Sequence, residues 1–353
     1  MKWLEARFKE DLSNEENLTV SNGQVVIRSR SWTAAELVDL VGVQDDSGKN
    51  LLFDELFDDW LAEYKERQIE LADDILRQFE LEDRFLLLSE AYCAHTVMPF
   101  VGAGLSIPSG YPGWTHFLRK QRRQTAIVEA DMEALLAQGQ YELAAQQIAN
   151  ARGVAFNEAV DSAFGCSRDL CGPVEMLPYV FPDSVVTTNF DNTLDRSYQN
   201  ADKPFTEKLT GADSHQIRRR MLADERILLM LHGKATSGRD RILTQGEYDQ
   251  HYTNGATLAS TIHALCDSHN LLFLGCSLTV DRTLTAIKAR VEEVGHDNLP
   301  RHYAFLEEPE TEQIRIQRQD ELAECHIYPI WYPAGTHDES IEALLVKLHE
   351  ASQ

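Results

Sequence analysis

The chain has 353 residues, 43% hydrophobic and 25% charged, the profile of a globular protein long enough for two or three folded units. Its formal charge is −24, from 33 Lys plus Arg against 57 Asp plus Glu, which argues against general binding to a phosphate backbone, since that requires basic side chains to neutralise phosphates. Six scattered cysteines without a C-x-x-C pair, a charged N-terminus and the lack of a membrane-length apolar run make the cytoplasm the expected compartment, with no membrane contact.

Residues 1–90 read as a mainly helical appendage and a candidate assembly region. VSNGQVVIRSRSW alternates about Asn22 and Gly23, a hairpin signal. Over residues 51–92 the apolar positions recur at helical spacing, with Leu52, Leu56 and Trp60 followed by Ile69, Ile75, Leu76 and Phe79, a pattern expected of core. Residues 91–335 read as the main domain. A short apolar strand at 95–101 runs into Gly102, Ala103, Gly104, Leu105 and Ser106. A loop with Pro108, Gly110, Pro112 and Gly113 follows, then a helix at 114–122. Residues 123–178, rich in Ala, Leu, Glu and Gln, read as an inserted helical module. Arg218, Arg219 and Arg220 read as a solvated helix face.

Strand signals return at 184–189, 226–232, 270–275, 301–306 and 325–331. Helical patterns separate most of them, at 256–268, 281–294 and 308–324, and residues 336–353 read as a C-terminal helix. Short apolar strands alternating with helices predict an α/β fold, a Rossmann-like parallel sheet with helices on both faces.

Ligands of such sheets sit at the carboxyl ends of the strands. Four predicted strand ends carry polar or glycine residues. Gly102 and Gly104 suit either close approach of a diphosphate or a tight turn. Thr188, Asn189 and Asp191 end the next strand; Asn189 suits a ribose hydroxyl or a water, and Asp191 suits either the same site or a helix cap. His232, followed by Gly233, suits a general base or a structural histidine. Gly275, Cys276 and Ser277 again suit a ribose or a phosphate.

The ordered set FVGAGLSIPSGYPGW, VVTTNFDNTLD, LLMLHGKA and LLFLGCSLTVDRTL resembles the sirtuin superfamily, over roughly residues 90–335. More specifically it resembles the divergent sirtuin-like NAD-hydrolase domains of bacterial anti-phage defence proteins, to which Gly110, Pro112, Trp114 and the Asn189, Phe190, Asp191 triplet point. The resemblance implies that Gly102, Ala103, Gly104 and Ser106 line the diphosphate and adjoining ribose of NAD, with Thr188 also contacting it. Asn189 and Asp191 would flank the nicotinamide ribose, Asn189 being needed for cleavage. His232 would be the catalytic histidine, and Gly275, Cys276 and Ser277 would contact the adenosine half. The zinc ribbon of deacylating sirtuins has no counterpart here, so no metal is expected and weight moves from deacylation to hydrolysis of NAD. A dehydrogenase fits less well, because Ile107 stands where a third glycine belongs.

The expected activity is thus cleavage of NAD to nicotinamide and ADP-ribose by a toxic effector of abortive infection. A non-catalytic NAD or ADP-ribose sensor and a protein deacylase are the alternatives. The expected partners are further copies of the chain and a separately encoded sensor or activator, an ATPase/helicase or an Argonaute-like protein, because no sensor domain is visible in the sequence. Direct nucleic-acid binding is not expected.

Overall fold

Two compact units make up the chain, Met1–Leu71 and Ala72–Gln353. The structure, a computed structural model, describes residues 2–13, 18–21, 24–27, 30–33, 51–211, 225–238, 241–252, 257–279 and 282–352. The first unit holds helix α1 (Lys2–Ser13), the antiparallel strands β1 (Leu18–Ser21), β2 (Gln24–Ile27) and β3 (Arg30–Thr33), and most of helix α2 (Leu51–Gln78). Ser21 pairs with Gln24, the register a two-residue turn at Asn22 and Gly23 predicts; the turn itself lies outside the described residues. The aromatic stripe of α2 is core, as its helical spacing predicts. Phe8 of α1 meets Phe53, Phe57 and Trp60 at ring-centroid distances of 5.2, 5.5 and 5.8 Å, and the Trp60 indole donates to Asp11 at 2.8 Å.

The second unit runs α3 (Glu82–Cys93), β4 (Val97–Val101), α4 (Trp114–Arg122), α5 (Glu129–Ala137), α6 (Tyr141–Arg152), α7 (Val154–Phe164), α8 (Leu177–Val180), β5 (Val185–Thr187), α9 (Thr193–Asn200) and β6 (Glu207–Thr210). It continues through β7 (Ile227–Met230), α10 (Gln245–Tyr252), α11 (Thr257–Ser268), β8 (Asn270–Leu274), α12 (Arg282–Val294), β9 (His302–Glu307), α13 (Glu312–Ala323), β10 (Ile327–Tyr332) and α14 (His337–Glu350). The strands form one seven-stranded sheet in the order β10-β9-β8-β4-β5-β7-β6, with every pair parallel.

The strand sequences explain this arrangement. All four residues of β7 are buried, as are Leu271, Leu272, Phe273 and Leu274 of β8, because helices cover both faces. β6 was not anticipated: Glu207, Lys208 and Thr210 leave only Leu209 apolar. It is the terminal strand, bonded on one side to β7, and charged residues suit such an edge. From β4 the chain passes to β5 on one side and returns after β7 to β8 on the other. That reversal opens a crevice at the carboxyl end of β4.

Helices α4 to α7 share a core. Phe117 and Leu118 of α4 pack with Met132, Ile148, Phe156, Val160 and Phe164. Phe190, from the loop after β5, and Leu243, just ahead of α10, belong to the same cluster and fix these helices beside the crevice. The predicted C-terminal helix is α14, with Ile341, Ala343, Leu344, Leu345 and Leu348 buried. The basic run at Arg218, Arg219 and Arg220 lies outside the described residues.

Candidate functional site

Four loops leave the carboxyl ends of β4, β5, β7 and β8, and they converge on one cavity of about 350 Å³. Gly102, Ala103, Gly104, Thr188, Asn189, His232, Gly275, Cys276 and Ser277 all line it. The Phe100 and Phe273 rings, paired across β4 and β8 at 4.8 Å, also line it. Trp114 forms a wall, its ring 5.3 Å from Phe164 and 5.4 Å from Phe190. The phenylalanine of the Asn-Phe-Asp triplet is thus an anchor in the helical module.

The glycines have a structural reason of their own. Gly102 N donates to Leu274 O and Gly104 N to Gly275 O, each at 2.9 Å, so the two loops lie backbone on backbone. A Cβ on Gly102 would come within 2.5 Å of Gly275 O, and one on Gly104 within 2.7 Å of Gly275 Cα. Gly275 has φ +65°, which favours glycine, and a Cβ there would come within 2.6 Å of Leu105 N. After Gly102 the chain forms a 3-10 turn, Ala103–Ser106; the helix N-terminus that borders the cavity is that of α4, through Gly113, Trp114 and Thr115. No side chain caps that terminus, so its first amides have no side-chain acceptor.

Asn189 is 7% exposed and its side chain is fixed. Nδ2 donates to Gly102 O at 2.9 Å and to Ser106 Oγ at 3.1 Å. The backbone is held as well: Thr187 Oγ1 donates to Val101 O at 2.8 Å and accepts from Asn189 N at 3.0 Å. With both amide hydrogens used, the carbonyl Oδ1 remains for a ligand. Ser106 is buried behind Asn189 and is not a lining residue; it acts on the cavity through the carboxamide.

Asp191, expected beside the nicotinamide ribose, is not among the lining residues. Its Oδ1 accepts from Thr193 N, the first residue of α9, at 2.9 Å, while the N-cap position itself is Asn192, which makes no side-chain cap bond. The Asp191 charge also adds to burial in raising the pKa of Tyr111, whose hydroxyl donates to Cys166 O at 2.6 Å.

His232 is 6% exposed. Gly233, with φ +78°, turns the chain back directly after it, and Ile242 N donates to His232 O at 3.0 Å. Both ring nitrogens are engaged by α10: Nε2 lies 2.9 Å from Tyr252 Oη and Nδ1 3.2 Å from Tyr248 Oη. Tyr248, Tyr141 and Glu142 line the cavity too, and sequence reasoning missed them. Nothing marks them in the sequence, because they come from helices rather than from strand ends.

Arg282 of α12 binds Glu142 Oε2 at 3.0 Å and Asp249 Oδ1 at 2.6 Å. Burial opposes its charge, but its hydrogen bonds to Asp249 and Glu142 outweigh that and raise its pKa. A second cavity of about 390 Å³ lies beyond the Gly275, Cys276, Ser277 loop at the carboxyl ends of β9 and β10. It is lined by Glu307, Arg318, Tyr332 and His337. Among the described residues, no group of three His, Cys, Asp or Glu side chains is placed to hold a metal ion, and no helix is long and apolar enough to cross a membrane.

Residues 183–330 of the chain match the model of the SIR2-like domain family. The chain is similar to proteins named as NAD(+) hydrolases and to one named as a defence-associated sirtuin. It is 25% identical over 208 residues to NAD(+) hydrolase ThsA of Acinetobacter baumannii (strain 532279), the match covering 59% of this chain and 41% of that protein. It is 23% identical over 223 residues to NAD(+) hydrolase ThsA of Bacillus cereus (strain MSX-D12), covering 63% and 44%. Against Defense-associated sirtuin 2 of Bacillus subtilis it is 27% identical over 191 residues, covering 51% of this chain and 18% of the relative. The chain spans less than half the length of these relatives.

Proposed function

We propose that the second unit hydrolyses NAD at the nicotinamide–ribose bond, giving nicotinamide and ADP-ribose, and that the protein is an NAD-depleting effector in defence against phage. The observation that carries this reading is the shared cavity: the buried Asn189 and His232 line the same crevice as the Gly102–Gly104 and Gly275–Ser277 loops. The names of the relatives supply the substrate.

In this reading the diphosphate lies over Gly102, Ala103 and Gly104, toward the uncapped amides of α4. The adenosine half follows Gly275, Cys276 and Ser277 toward the second cavity, and the nicotinamide ribose meets Asn189 and His232. Nicotinamide leaves as a neutral group from a cationic ring, so the difficulty is the oxocarbenium-like centre left on the ribose. Asn189 Oδ1 holds a ribose hydroxyl or the attacking water at that face. His232 accepts the proton released as water adds. Asp191 serves by accepting from Thr193 N at the start of α9, outside the chemistry.

The trigger belongs to a separately encoded sensor or to assembly of copies through the first unit, in the cytoplasm.

The test is to incubate the purified chain with NAD, alone and with the product of a neighbouring gene, and to separate nicotinamide and ADP-ribose by chromatography. Asn189→Ala and His232→Ala should each lower turnover by about 10²- to 10³-fold, the cost of losing a preorganised polar group at a reacting centre. Equal product from all three preparations would overturn the residue assignment. Tight NAD binding without product under every condition would favour the sensor.

A further inference from the structure

A single eight-residue helix, α10, engages both ring nitrogens of His232. Tyr248 and Tyr252 stand four residues apart, so they project from one face, and their rings stack at 5.6 Å. Both meet the imidazole edge-on, at ring-centroid distances of 5.1 and 6.3 Å. The helix is itself held. At its start, Glu247 Oε2 accepts from Leu243 N at 2.9 Å and Thr244 N at 2.7 Å. From outside, the Arg282 guanidinium lies 6.0 Å from the Tyr248 ring centre while binding Asp249, the next residue of α10.

A neutral imidazole has one nitrogen that donates and one that accepts, and a phenol can take either role. Tyr248 lines the cavity beside His232, whereas Tyr252 does not. A base serving the cavity must have its bare nitrogen on the cavity side, and the nitrogen whose partner lies there is Nδ1. We propose that Tyr248 and Tyr252 are positioning residues that hold His232 as the Nε2–H tautomer. In that state Nε2–H donates to Tyr252 Oη and the bare Nδ1 accepts from Tyr248 until a substrate group takes that place. The assignment rests on His232 being the base for NAD cleavage.

The test uses the full chain with ¹⁵N-labelled histidine, and His232→Gln to assign the His232 ring signals. Spectra are taken at about pH 8, above the ordinary histidine range, for the native chain, Tyr252→Phe and Tyr248→Phe. Phenylalanine keeps the ring stack and removes only the hydroxyl, so the fold is preserved. The native ring should show a protonated Nε2 and a bare Nδ1. Tyr252→Phe should move both signals toward averaged positions and lower kcat for nicotinamide release about ten-fold, with KM for NAD little changed, as expected for a misheld base. An Nδ1–H tautomer in the native chain, or spectra and kcat unchanged in both variants, overturns the proposal. The outcomes separate the two readings. A chain that cleaves NAD with unchanged variants removes the tyrosine role alone. A chain that shows the tautomer and its loss in Tyr252→Phe, yet never cleaves NAD, keeps the clamp and removes the hydrolase.

Discussion

The orientation of the Asn189 carboxamide is fixed by what its neighbours can do. Gly102 O can only accept, so the amide nitrogen must face it, and Ser106 Oγ takes the second hydrogen. Two bonds from one nitrogen define the plane of the group and thereby the direction of Oδ1. Removing Ser106 Oγ leaves the amide held at one point in a buried site. Ser106→Ala is therefore expected to lower kcat for NAD cleavage by about ten-fold, less than Asn189→Ala, while the melting temperature falls only slightly, since a single neutral hydrogen bond contributes about 1 kcal/mol. Steady-state kinetics beside thermal unfolding check it; a larger change in KM than in kcat would place Ser106 against substrate instead. Asn189 and His232 were legible in the sequence because a polar residue directly after an apolar strand needs a reason. Tyr248 and Tyr252 were not legible, because tyrosines in a short helix carry no such mark. The serine in the glycine loop was expected to line the cavity, but its contact is with a side chain from another strand end, which spacing along the chain does not reveal.

Among the elements, the interlock of the β4 and β8 loops decides the shape of the crevice. A methyl group on Gly104 would lie 2.7 Å from Gly275 Cα and 2.9 Å from Gly275 O, both backbone atoms that cannot rotate away. Gly104→Ala should destabilise the second unit by about 2–3 kcal/mol, in the range of an overpacked core, and abolish NAD binding by separating the loops. Gly113→Ala is the control: its added Cβ would meet Ile107 Cδ1 at 3.7 Å, an ordinary contact, and stability should change by no more than about 0.5 kcal/mol. Denaturant unfolding of both variants checks the contrast, and equal losses would refute the interlock. The same elements show what patterning conveys. Strands β4, β5, β7, β8, β9 and β10 were readable as apolar runs because both faces of the sheet are covered. β6 was unreadable because an edge strand with two charged residues has no such run. The glycines were read as room for a diphosphate or as a tight turn. The structure gives them a second partner, the opposite loop, which no single stretch of sequence contains.

At the scale of the whole molecule, two histidines at the amino ends of β9 and β10 contribute to how stability depends on pH. His302 is fully buried; burial, with His326 adding to it, holds its pKa down to about 3. Leu271 N donates to His302 Nδ1 at 3.2 Å, so Nδ1 is the bare nitrogen. A proton added to the ring would have to go on Nδ1, against the Leu271 N–H, while Nε2–H has no partner. His326 is also lowered, by burial first and then by His296, whose Nδ1 lies 2.9 Å from its own. The unfolded chain takes up a proton near the ordinary histidine value of about 6.5, while the folded chain refuses it until about pH 3. Between those limits the unfolded state binds more protons, so stability is complete above about pH 6.5 and declines as pH falls, by up to about 1.4 kcal/mol per pH unit for each such histidine. His302→Asn keeps an acceptor for Leu271 N and removes the titration. Urea unfolding at a series of pH values from about 8 to about 5 should show a native curve that falls below about pH 6.5 and a shallower fall for His302→Asn, with His326 responsible for part of the remainder. Curves of equal slope would mean that the His302 site admits a proton without loss of structure. The acid sensitivity of the fold would then have to come from the carboxylates that dominate its charge.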